Sequence, residues 1–182
     1  MKTGRAGASR FRLSRTTSRD RAASGDYDPR VTESGGGLSH VDDAGDVQMV
    51  DVGSKPLSKR RAVARAEVRM GHATAQMLRA LPKGDALVTA QLAGIMAAKR
   101  TSELIPLCHP LPLTHVDVQL SVVDGAVEIE ASAETTAQTG VEMEALVAAT
   151  VAALTVYDMA KAVDKGMVIG AVELVEKTKE PV

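Results

Sequence analysis

This chain of 182 residues has almost no aromatic side chains: no tryptophan, one phenylalanine and two tyrosines. Phe11 and Tyr27 lie in the first 37 residues, so Tyr157 is the one ring left to the remainder. A core there must be assembled from Ala, Val, Leu, Ile and Met, which bury less area per residue than rings do. Association with further copies would add the missing burial, and an oligomer is expected. The single cysteine, Cys108, excludes an internal disulfide and suits a reducing compartment, so a cytoplasmic location is expected. No stretch reads as a transmembrane span or a secretory leader, and no membrane partner is expected.

Charge is distributed unevenly along the chain. The net is −1, yet residues 1–24 hold seven Lys or Arg against one acid, leaving 15 basic and 22 acidic residues in the rest. An acidic body does not suggest nucleic-acid binding. A polyphosphate ligand would need a few basic side chains to dominate the field locally. Residues 1–37 are rich in Arg, Ser, Thr and Gly, show no apolar period and end in Gly35-Gly36-Gly37. They read as a disordered extension preceding one α+β domain over 38–182. A start set too early explains such an extension; an organellar transit peptide and an RNA-binding arm are the less favoured alternatives.

What is present is concentrated in two places. Residues 104–113, LIPLCHPLPL, hold the only cysteine, one of four histidines and three of seven prolines. Three prolines in seven positions prevent a continuous helix or a central strand. The expected result is a stiff, buried connection that fixes the His109 imidazole. It is either a binding-site loop or a proline-rich crossover with a satisfied histidine. Further on, Ala145 to Tyr157 carry no charge, flanked by Glu142 and Glu144 before and by Asp158, Lys161, Asp164 and Lys165 after. This reads as a core helix. Capping explains the signs of the end charges, but charges beside a core also mark chemistry.

The other elements follow from periodicity. Val47–Val52 reads as a short strand. Residues 58–81 read as a helix with Val63, Ala66, Met70, Ala73, Met77 and Leu81 along one stripe, and Arg61, Arg65 and Arg69 along a solvated one. A turn at Lys83-Gly84-Asp85 leads to a second helix over 86–101, whose small residues suit close helix approach. Residues 114–122 alternate cleanly, Asp124-Gly125 turns, and Val127, Ile129 and Ala131 lie on the return strand. His115 falls on the polar face as a surface residue. A final strand over 167–176 completes the order β-α-α-β-β-α-β, a ferredoxin-like antiparallel sheet with helices on one face.

Taken together, several words in this sequence resemble the MoaC family, the cyclic pyranopterin monophosphate synthases of molybdenum cofactor biosynthesis. They are Met49-Val50-Asp51-Val52, Lys83-Gly84-Asp85, residues 93–101 (AGIMAAKRT), 104–111, 139–146 (TGVEMEAL), 157–163 (YDMAKAV) and 167–170 (MVIG). The resemblance spans residues 38–177 in order and with the family's spacing. It implies a lyase that converts 3′,8-cyclo-7,8-dihydro-GTP into cyclic pyranopterin monophosphate and releases pyrophosphate, with no cofactor. By matching position it implies Lys83, Glu142, Glu144, Asp158 and Lys161 as the catalytic set. Leu107, Cys108, His109, Met143 and Glu144 would contact substrate. Arg60 would give a phosphate contact to a neighbouring subunit, and Lys177 a weaker one. It also implies a hexamer, a trimer of dimers, with sites at the dimer interface. The family's usual Gly- and Lys-containing tail is absent after Lys177-Thr178-Lys179-Glu180.

The alternative function is a non-catalytic oligomeric nucleotide-binding or regulatory protein that keeps the pocket. Keeping Lys83, Asp158 and Lys161 together favours catalysis. Zinc on Cys108 and His109 is disfavoured, because adjacent residues rarely converge on one ion and no second thiolate exists, so no metal is expected. Asp158 and Lys161 stand at i, i+3 and can pair. A neighbouring carboxylate would raise the lysine's pKa and burial would lower it, which leaves the direction open. Helix geometry adds an expectation to the site residues that the resemblance implies. On a continuous helix, Glu144 and Asp158 are roughly 21 Å apart, so a single small ligand meets both only if two chains share a site. Antiparallel pairing of that helix with its copy, through Ala148, Ala149, Ala152 and Ala153, would bring them together.

Overall fold

The computed structural model describes residues 45–182, and the expected extension over residues 1–37 lies outside the described residues. Strand β1 (Ser58–Arg69) is followed by helices α1 (His72–Met77), α2 (Ala86–Ala98) and α3 (Thr101–Leu104). The hairpin β2 (Leu113–Val123) and β3 (Ala126–Ala137) comes next, then the long α4 (Glu142–Ala160), β4 (Val168–Ile169) and β5 (Glu173–Pro181). The fold is α+β. All pairings are antiparallel, in the order β2-β3-β1-β4, with β5 also paired to β1. Because β3 is antiparallel to both neighbours, β1 and β2 run parallel with β3 between them, a split β-α-β.

The expected helix over 58–81 is largely a strand. Residues 61, 65 and 69 share a face at period 3.6 and equally at period 2, so the arginine spacing could not discriminate between them. The deciding pattern is Ala62, Ala64, Ala66 and Val68, all buried at every second position. β1 pairs over its whole length with β3 and again with β5, and that tertiary pairing overrides the helix-forming tendency of Ala, Arg and Glu. Its outer face is an ionic lattice: Arg61 with Glu134 and Glu176 at 3.4 and 2.5 Å, and Arg65 with Glu130 at 2.8 Å.

Three smaller corrections concern boundaries. Residues 47–52 form no strand beyond an isolated bridge at Val47. The helix over 86–101 ends at Ala98 and restarts as one turn, α3. The last strand is broken at residues 170–172, where Gly170 N–H donates to the Glu67 carbonyl at 2.7 Å, and then runs on to Pro181. Lys177 to Glu180, expected beyond the sheet, therefore belong to β5.

Helices α2 and α4 cover one face of the sheet, and more than half of the buried apolar residues are alanine. The small side chains let the layers close tightly. A Cβ placed on Gly94 of α2 would stand 2.9 Å from the Ala148 carbonyl oxygen and 3.3 Å from the Ala152 methyl of α4. Length and composition alone would let α4 cross a membrane, against the sequence expectation. Ten of its residues are buried in the protein, which marks it as a core helix. Ala148, Ala149, Ala152 and Ala153 are all fully enclosed within one chain. They cannot serve as the contact between two copies of α4, because α2 and the sheet already occupy that side.

Candidate active site

The two ends of α4 carry two different constellations. At the N-terminal end a cleft of about 220 Å³ opens between three walls. Leu107, Cys108, His109 and Leu111 form one; Thr139, Gly140, Glu142, Met143 and Glu144 another; Val50, Val52 and Lys55 the third. The proline-rich loop is held at both ends, which keeps the imidazole and thiol in place. Cys108 N–H donates to the Ile105 carbonyl at 3.0 Å, and the Thr135 hydroxyl to the Pro112 carbonyl at 2.8 Å. Leu107, Cys108 and His109 are half-buried rather than fully enclosed, which leaves them accessible from the cleft. Val50 and Val52 belong to an irregular segment pinned by Gly53 N–H donating to Asp51 Oδ1 at 2.8 Å.

Glu142 and Glu144 occupy the first turn of α4, where free backbone N–H groups favour negative charge. Glu144 is only 4% exposed. Burial, aided by the charge of Glu142, raises its pKa against an opposing backbone hydrogen bond. Burial and the Glu144 charge likewise push the Cys108 thiol up. Both effects favour the neutral thiol over the thiolate at Cys108.

A second cavity of about 230 Å³ adjoins the first and shares Gly140 and Glu142 with it. Its other walls are Arg60, Arg61, Val141, Lys177, Thr178 and Lys179. The β1–β5 register sets Arg60 opposite Lys179 and Ala62 opposite Lys177, so Arg60, Lys177 and Lys179 join Arg61 around this cavity. Arg60 is oriented by donating from Nε to Ser58 Oγ at 2.9 Å and from Nη2 to the Gln138 carbonyl at 3.2 Å. Lys177 Nζ stands 3.7 Å from Glu142 Oε1.

At the far end of α4, Asp158 lies between two ammonium groups. Lys161 Nζ is 2.6 Å from its Oδ1, and Lys83 Nζ donates to its Oδ2 at 3.2 Å and to its carbonyl at 3.0 Å. Lys83 reaches this position from the α1–α2 turn, which closes with Gly84 N–H on the Leu81 carbonyl at 2.8 Å. That turn requires Gly84 at φ +109°, a region that a side chain rarely adopts. Just beyond, Asp85 caps α2 by accepting from Leu87 and Val88 N–H at 2.9 and 3.1 Å. The question left open by the sequence is resolved in favour of the carboxylate. Hydrogen bonding and charge from Asp158 raise the Lys161 pKa, and the two lysines hold Asp158 below the ordinary carboxylate range. Among the described residues, no group of three or more His, Cys, Asp or Glu is placed to hold a metal ion.

A family model, the MoaC family, matches residues 49–180. The chain belongs to the MoaC family. Relatives named cyclic pyranopterin monophosphate synthase include that of Roseiflexus sp. (strain RS-1), 59% identical over 145 residues, covering 78% of this chain and 92% of the relative. That of Thermomicrobium roseum is 58% identical over 144 residues, covering 77% and 87%. That of Streptomyces avermitilis is 57% identical over 143 residues, covering 78% and 84%. The match includes both ends of α4, the Cys-His loop and the lysines of β5, so Lys177 lies inside the family's extent.

Of the residues singled out by sequence, Leu107, Cys108, His109, Glu142, Met143 and Glu144 meet at the first cleft, and Arg60 and Lys177 at the adjoining one. Lys83, Asp158 and Lys161 meet at the other end of α4. One chain does not bring these groups together. Lys55, Thr139, Gly140 and Lys179 line the cavities without having been singled out. Thr139 and Gly140 stand in the sequence word that carries the resemblance. Lys55 and Lys179 gave no periodic or motif signal.

Proposed function

We propose that this protein is a cyclic pyranopterin monophosphate synthase, converting 3′,8-cyclo-7,8-dihydro-GTP into cyclic pyranopterin monophosphate and pyrophosphate in molybdenum cofactor biosynthesis. The observation that carries this reading is the placement of Asp158 within 3.2 Å of both Lys83 and Lys161 Nζ. Ring rearrangement needs groups that give and take protons at fixed positions, and loss of pyrophosphate needs cations to meet the charge that develops. Lys161 and Lys83, both held on the Asp158 carboxylate, are the groups placed to exchange protons with the substrate. Glu142 and Glu144 act on the base, while Leu107, Cys108, His109 and Met143 form the surface against which it rests. Arg60 and Lys177 receive the phosphates.

The complete site is built from two subunits. In one chain the acid cluster and the Asp158 cluster lie about 21 Å apart along α4, too far for one pterin nucleotide to have both at its reacting centre. A two-fold axis would bring the Glu144 end of one copy to the Asp158 end of its mate. A hexamer arranged as a trimer of dimers, in the cytoplasm, is the assembly that the family membership favours. The test is turnover: purified protein given the cyclic GTP intermediate should release one pyrophosphate per pterin formed. A folded oligomer that forms neither product contradicts the assignment.

A further inference from the structure

The glycine two residues ahead of Glu142 has an unusual neighbourhood. A Cβ added to Gly140 would stand 1.8 Å from Glu142 Oε2, 2.7 Å from its Cδ and 2.8 Å from its Oε1. These three atoms are one carboxyl group, and they are the three nearest. The Glu142 side chain folds back over its own chain and occupies the volume that any other residue at 140 would fill. Gly140 has no positive φ, so the backbone itself would accept alanine. The contrast with Gly94 is direct. There the nearest atom is a backbone carbonyl, which cannot move without separating two helices.

Gly140 and Glu142 are also the two residues common to both cavities. The folded-back carboxylate therefore sits at the junction, 3.7 Å from Lys177 of the cationic cavity and in the same wall as Glu144 of the other. We infer that Gly140 is a positioning residue for Glu142: its missing side chain keeps the carboxylate at the junction of the two cavities and against Lys177. A methyl group at 140 would drive the flexible carboxylate out of this place while leaving the fold intact. This inference rests on the proposed function for its kinetic consequence, but its structural consequence stands apart.

The experiment compares the parent, Gly140→Ala, Glu142→Gln and the double variant, in full-length protein. Gly140→Ala should melt at or above the parent temperature, because alanine restricts the unfolded chain. It should lower turnover about as far as Glu142→Gln does, with the same division between kcat and KM, and should add no further loss to Glu142→Gln. A crystal structure of Gly140→Ala should show the carboxylate displaced from Lys177. An unmoved carboxylate, a lowered melting temperature, or an undiminished loss in the Glu142→Gln background would overturn the inference. Should the parent itself lack turnover, the proposed function fails, and the crystal structure still decides whether Gly140 places Glu142.

Discussion

Glu144 and Asp158 stand on one uninterrupted helix, α4, at opposite ends of about 21 Å of axis. The first is buried beside a cysteine, a histidine and a second carboxylate; the second is exposed between two lysines. Burial raises one carboxyl pKa and ion pairing lowers the other. Two groups of one chemical type are thus shifted in opposite directions by their surroundings.

Lys161 is the first group to test. Lys161→Ala should keep its fold and assembly, since the side chain is exposed and α4 ends there in any case. Turnover should fall by on the order of a hundredfold or more, as for a missing proton-transfer group. Near-parental turnover would remove Lys161 from the mechanism.

The Asp158–Lys161 pair makes a titration prediction. Since Asp158 is what raises the Lys161 pKa, Asp158→Asn should return it toward the ordinary lysine value. Carbon-13 NMR of the Lys161 side chain can follow this directly, and an unchanged titration would show that another group holds the proton.

Glu144 gives stability a pH dependence of known sign. Its folded pKa is raised, so folding favours the protonated form. Its contribution is fully present below the unfolded value and is lost as pH rises through the raised folded one. Glu144→Gln does not titrate. The melting temperature of that variant should therefore gain on the parent as pH rises above about 4.3, the ordinary Glu value, and then level off. A gap that shrinks with rising pH would contradict the burial argument.

Gly94→Ala tests the packing of the helical layer. Its methyl would meet the Ala148 carbonyl oxygen at 2.9 Å. A cost of about 1–3 kcal/mol is expected, as for other overpacked contacts. Denaturant unfolding measures it, and a neutral result would mean that α2 can withdraw from α4 freely.

The hairpin, the long helix and the irregular Cys-His connection were legible because each carries a local signal: strict alternation with Asp-Gly, an uncharged run, and clustered proline. β1 was not. Its alanines and arginines favour a helix locally, and only pairing with β3 and β5, far away in sequence, makes it a strand. The same non-local pairing places Lys179 opposite Arg60, which no motif announces. Pairing of two α4 copies through Ala148, Ala149, Ala152 and Ala153 fails for a related reason. Small residues signal a close approach but not which neighbour approaches, and here it is α2 of the same chain. That Asp158 joins Lys161 follows from helix spacing, whereas Lys83 arrives from a turn 75 residues earlier.

The shared site is tested most directly by complementation. Glu144→Ala and Asp158→Ala, each inactive alone, are mixed, dissociated and reassembled with subunit exchange verified. A site built from both ends of α4 in two chains leaves, in each mixed dimer, one site with both defects and one intact. Activity with the cyclic GTP intermediate should then partly return. No recovery despite complete exchange would contradict the account and place each site within a single chain.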